Sequence, residues 1–172
     1  FKYRVQTCES GKEFTTSSDD CSAKGGTIHI SATDGQSLTI SEENGNDKKY
    51  QYLYHHDDEI ITGTAEPKQD YVFIGWWNNG KGPYTVNPWI TQADTTNDYV
   101  TARFTHIDNL CAQTINVSGL GLATITRYID QTSTQAIKTS KSVTVNTWKG
   151  KEVTLVATPS TGYTFVGWYE GQ

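Results

Sequence analysis

Two stretches of this chain spell nearly the same sequence, so whatever one folds into the other must be able to adopt. Glu59 to Trp77, EIITGTAEPKQDYVFIGWW, lies over Lys151 to Tyr169, KEVTLVATPSTGYTFVGWY, without a gap once Pro67 is set on Pro159. Thr62, Ala65, Pro67, Tyr71, Phe73, Gly75 and Trp76 then meet Thr154, Ala157, Pro159, Tyr163, Phe165, Gly167 and Trp168. Ile61 meets Val153, Ile74 meets Val166 and Trp77 meets Tyr169. A register kept over that many positions marks an internal repeat, and a repeat is one supersecondary unit used twice.

The unit reads as two strands around a Pro-containing turn. Val153, Leu155 and Ala157 alternate with Thr154, Val156 and Thr158, the period of two that a strand requires. After the turn, Tyr163, Phe165 and Gly167 take one face of an ideal strand, and Val166 and Trp168 take the other. Large apolar residues on both faces imply a central strand or one covered by a loop. The Gly between the aromatics marks a bulge or the close approach of another backbone. Elsewhere Thr, Val, Ile and Tyr recur between short clusters of Gly, Asn, Asp and Ser, and no helical period emerges. The expected fold class is all-β or β-rich.

A VTLxATP strand followed by GYTFVGWY closely resembles the bacterial surface repeats related to internalin B-repeats, including their divergent forms. The resemblance implies β-grasp-like modules strung in tandem on secreted or wall-attached proteins. In such repeats the GW strand leads through a loop into a last strand with an Ala-x-Phe type of sequence. The first copy follows this pattern through Gly80 to His106, with its final strand at Tyr99 to His106. The second copy reaches Gln172 without it. The upstream halves are looser, Gly25 to Ser41 in one copy and Thr114 to Ile129 in the other, with Lys48 to His56 opposite Lys141 to Gly150. We therefore divide the chain into a first module, 8–106, and a second module, 107–172, that lacks its last strand.

The N-terminal segment FKYRVQTC resembles a last strand. Set against VTARFTH, Arg4 falls on Arg103, Val5 on Phe104 and Thr7 on His106, with Cys8 and Cys111 close behind. Residues 1–7 then read as the terminal strand of a repeat whose body is absent. Either the chain is a piece of a longer tandem array cut out of phase, or the permutation is itself a unit of assembly. In the second case the N-terminal strand fills the open edge of the next molecule by donor-strand complementation. Donor and acceptor surfaces differ, so the contact propagates into a filament. Phe1, Tyr3 and Val5 would form the inserted face, and Val153, Leu155, Phe165 and Trp168 are candidates for the receiving body.

The expected partners are therefore copies of the chain itself or neighbouring repeats. The competing class is an adhesin-type module that recognises a host-surface protein or a glycan, with Trp77, Tyr84 and Trp89 as candidate stacking residues. A net charge of -5 with no basic cluster argues against nucleic acid. No run of about 18 apolar residues is present, so no membrane span is expected. The start at Phe1 and the lack of Met read as a processed product or a fragment.

Cys8 and Cys21 bracket a polar loop that a disulfide would close in an oxidising, extracellular setting, which leaves Cys111 without an assigned partner. The cluster HHDDE, His55 to Glu59, holds ligand-type side chains, but the other copy has NTWKGK there, so a solvated turn is expected and no metal. No GxSxG, P-loop or dinucleotide fingerprint occurs, Gly119 and Gly121 read as a turn, and His29 and His106 have no nucleophile at a catalytic spacing. No enzyme and no cofactor are expected.

Overall fold

The computed structural model describes residues 2–9 (as backbone), 25–41, 51–93 and 98–171. They form two compact units, Phe1–Ile107 and Asp108–Gln172. Both are built of mainly antiparallel sheets with no α-helix among the described residues, in agreement with an all-β chain.

The first unit contains nine strands: β1 (Lys2–Glu9), β2 (Gly26–Ala32), β3 (Ser37–Ile40), β4 (Gln51–Tyr54), β5 (Ile60–Pro67), β6 (Tyr71–Asn78), β7 (Lys81–Tyr84), β8 (Trp89–Gln92) and β9 (Asp98–His106). One sheet has the order β4-β1-β9-β6-β7 and the other β3-β2-β5-β8. The pairings are antiparallel except β1 with β9, which run parallel with Val5 opposite Val100. Alternation along β2 buries Gly26, Ile28, Ile30 and Ala32 and exposes His29 and Ser31. On β9, Val100, Ala102 and Phe104 are all fully buried. These residues, with Ile61, Leu53, Trp76 and Trp89, form one core shared by the two sheets.

β6 departs from ideal alternation. Its register against β9 shifts between Phe73 and Gly75, so one extra residue is accommodated there. The bulge returns Trp76 to the face that Phe73 occupies, and their rings lie 5.6 Å apart. The even alternation read from the sequence is corrected here, and Gly75 supplies the reason. A Cβ at Gly75 would sit 2.8 Å from Pro83 of β7, so the neighbouring strand can approach this closely only at a glycine.

β5 receives an additional partner from a side chain. Asn87 accepts a hydrogen bond from the Ala65 N–H at 3.0 Å and donates to the Ala65 carbonyl at 2.7 Å. Replacing Asn87 by Ala leaves both groups of a buried residue unpaired. We expect Asn87→Ala to destabilise the first unit by about 1–3 kcal/mol, read as a lower urea midpoint with an unchanged slope.

The second unit contains β10 (Leu110–Ile115), β11 (Gly121–Tyr128), β12 (Thr134–Thr139), β13 (Val143–Trp148) and β14 (Thr154–Pro159), entered through a 3-10 turn at Ile107–Asn109. β10 pairs with β13, and β12-β11-β14 form a three-stranded sheet. Ile115, Ile125 and Val145 are its buried core, with Ile137, Val143, Val153 and Leu155 packed against them. Arg127 of β11 reaches the carbonyl of Asn146 on β13 and donates to Gln135 at 2.7 Å. Partial burial lowers its pKa from the ordinary arginine value, because desolvation disfavours the charged form.

Candidate functional site

The two units share strand registers as well as sequence. Gly26 faces Pro67 across β2 and β5, and Gly121 faces Pro159 across β11 and β14. Ile30 is flanked by Gly63 and Leu38, and Ile125 by Leu155 and Ile137. The equivalence extends to the strand that leads each unit. Lys2 to Val5 run antiparallel to Tyr54 through Gln51, and Ala112 to Ile115 run antiparallel to Asn146 through Val143. At the offset that sets Pro67 on Pro159, Gln51 falls on Val143 and Tyr54 on Asn146. β10 therefore holds, in its unit, the place that β1 holds in the first.

The units diverge at the GW segment. In the first, β6 is paired by β9 along its length, from Tyr71 opposite His106 to Asn78 opposite Val100. Three ring contacts accompany the pairing. Tyr71 and His106 meet edge-on at 5.1 Å, Phe73 and Phe104 lie 5.8 Å apart, and the Arg103 guanidinium stands 4.0 Å from the Trp77 ring centre. Trp76 is fully buried and stacks on Trp89 at 6.1 Å. In the second unit Tyr163 to Glu170 form no strand. Tyr163, Phe165, Val166, Trp168 and Tyr169 are all exposed, Tyr169 to 80 %. Phe165 and Trp168 touch at 5.3 Å, and a groove of about 520 Å³ runs between this segment and the ends of β11 and β14.

The same aromatic sentence is thus core in one unit and surface in the other. Burying a large apolar side chain contributes about 1.5–3 kcal/mol, and exposed apolar patches of this kind mark contact surfaces. Among the described residues, β10 has one strand partner, β13. The groove is lined by Asn116 to Ala123, by Ala157 to Pro159 and by Tyr163 to Tyr169.

The structure distributes the sequence-derived site residues unevenly. Val153 and Leu155 pack into the small core, whereas Phe165 and Trp168 lie on the open groove. The backbone of Tyr3 and Val5 lies in β1, paired on both sides within the first unit. Phe1 lies outside the described residues. Trp77 and Trp89 are buried, so neither offers a ring face to a sugar, and Tyr84 alone of that trio is exposed. Cys21 and the Cys8 side chain lie outside the described residues, and Cys111 is a free, exposed thiol.

His55 is buried with Nδ1 3.0 Å from the carbonyl oxygen of His56, and Asp57 and Asp58 form the turn that follows. Among the described residues no group of three His, Cys, Asp or Glu side chains is placed to hold a metal. His29 lies 2.9 Å from the Thr39 hydroxyl on an exposed face, and His106 packs on Tyr71. Sequence reasoning missed Arg103 as the cation over Trp77, and Leu122 as groove lining. Arg103 could have been flagged by its position on the last strand, opposite the Gly of the GW motif.

Repeated sheets with a shared register define a β-repeat protein. The family model of the divergent InlB B-repeat domain matches residues 36–108 and 131–172, more than half of the chain. The chain belongs to that family, a group of bacterial surface repeat domains that are generally non-enzymatic. No curated protein and no solved structure matches it. No helix among the described residues is long and apolar enough to cross a membrane.

Proposed function

We propose that the chain is a structural segment of an extracellular bacterial surface array or filament. In this reading 8–106 and 107–172 are β-grasp-like repeats, and the groove of the second is a slot filled by the N-terminal strand of a neighbouring molecule. Phe1, Tyr3 and Val5 are the inserted residues, and the body that receives them includes Val153, Leu155, Phe165 and Trp168. The observation that carries the reading is the exposed aromatic row, Tyr163 to Tyr169, in a unit whose counterpart pairs the same row with β9 and buries Ile74, Trp76 and Trp77.

Donation is an exchange, because β1 is seated between β4 and β9 in its own unit. It leaves a place with one parallel and one antiparallel neighbour for another place of the same kind. The strand thus gives up one parallel and one antiparallel partner and gains one of each. Tip and groove are different surfaces, so the chain of contacts stays open and grows into a fibre.

Electron microscopy and sedimentation of the full chain test the reading. Regular fibres are expected, and removal of residues 1–7 should leave soluble monomers. Fibres formed by the truncated protein would reject N-terminal donation. Because that truncation also disturbs the first unit, Phe165→Asp serves as a second variant. The side chain is exposed, so folding should be retained while assembly is lost.

A further inference from the structure

The reading above leaves open what makes the slot choose its strand. Resting on that reading, we infer that the slot is a binding site for an arginine-bearing extended segment, with the guanidinium seated on Tyr169. Its occupant is the N-terminal strand of a second copy, with Arg4 in that seat.

The argument transposes the first unit onto the second. Gly75 faces Arg103 across β6 and β9, and Arg103 covers the Trp77 ring at 4.0 Å. Gly167 and Tyr169 stand at the places of Gly75 and Trp77. An incoming strand therefore presents to Tyr169 the residue that takes Arg103's place. Its neighbour in Phe104's place falls opposite Phe165, and the residue in His106's place falls opposite Tyr163. The direction is also fixed: parallel to β10, as β9 is to β1, and antiparallel to Tyr163 through Glu170.

Among the residues around the slot, Tyr169 is exposed to 80 %. Lys151 is placed over Tyr128 instead, 5.1 Å from the ring centre. A tyrosine face without its cation, in the position where the sister repeat places one, is a recognition element. Glu170 next to it adds a negative charge that favours the same guest. Read against β9, the N-terminal strand supplies Arg4 for Arg103, Val5 for Phe104 and Thr7 for His106. The cation would thus fix register. A slip of one residue would turn Arg4 away from Tyr169 and reverse the faces of Phe1, Tyr3 and Val5.

The test is a double-mutant cycle on the monomer fraction of the full chain, separated from fibres by sedimentation, with a synthetic peptide of residues 1–9 carrying Cys8→Ser. Binding is followed by calorimetry and by the Trp168 indole N–H signal, assigned by its loss in Trp168→Phe. The peptide should shift that signal and bind. Arg4→Gln in the peptide or Tyr169→Ala in the chain should each weaken binding roughly two- to fivefold, with no further loss when both are present. Tyr169 is exposed, so its replacement leaves the fold intact. Binding with additive, independent losses would overturn the inference while leaving strand addition standing. Failure of the peptide to bind at all would overturn both.

Discussion

Trp76→Ala is expected to remove about 3–5 kcal/mol from the first repeat, whereas Trp168→Ala should change the second by less than about 1 kcal/mol. The two tryptophans occupy the same position of the same motif. Trp76 is fully buried, touches Phe73, stacks on Trp89 and lies against Gly63, where an added Cβ would sit 3.1 Å from its Cη2. Its removal opens a cavity in a core that spans two sheets, and such cavities are only partly refilled. Trp168 touches Phe165, lines the groove and is 43 % exposed. Hydrogen exchange distinguishes the outcomes, because β2 and β5 report on one unit and β11 and β14 on the other. Equal losses in the two units would mean that Trp168 already sits in a core, and the slot would disappear with it.

That contrast also shows where sequence reading stops. The repeat, the strand character of Glu59 to Trp77 and the burial of Trp76 follow from periodicity and register, because these are properties of residues near one another in the chain. The burial state of the second copy does not follow. Tyr163 to Tyr169 have the same local pattern as Tyr71 to Trp77, and their exposure depends on whether a distant strand pairs with them. The bulge at Gly75 lay between these cases. Its glycine was legible as a bulge or a close approach, but the consequence, Phe73 and Trp76 on one face, required the partner strand.

The place of β1 was the least legible. Seven residues with period-two alternation fit several strands, and the match of Arg4, Val5 and Thr7 to the end of β9 said nothing about pairing. The hydrogen-bond register sets Lys2 to Val5 level with Ala112 to Ile115. A leading strand and a closing strand can look alike in sequence, because both lie in the same sheet. Leu155 in the position of Gly63 is a related case. A large residue there changes the seat available to the tryptophan above it, and only the close approach of Trp76 to Gly63 reveals that the position has a volume limit.

Gly26→Ala should destabilise the first repeat by about 3 kcal/mol, at the upper end of what overpacking does, while Gly35→Ala in the same unit should lose only about 1 kcal/mol. A Cβ at Gly26 would lie 2.5 Å from the Glu66 carbonyl oxygen and 2.5 Å from Phe104 Cε1. The first is backbone in the paired strand, and the second is a ring in a fully buried side chain, so neither can give way cheaply. Gly35 has open space around it, and its penalty comes only from a φ of +92°. Urea midpoints of the two variants test the difference, and a Gly26→Ala protein as stable as Gly35→Ala would mean that Phe104 is free to retreat. Gly121 occupies the place of Gly26 and lines the open groove, with a prospective Cβ 2.8 Å from the Thr158 carbonyl. In the first repeat the space left by the missing side chain is filled by the Phe104 ring. In the second the same glycine borders the slot, so it keeps clear the place into which the apolar residue of an incoming strand would fit.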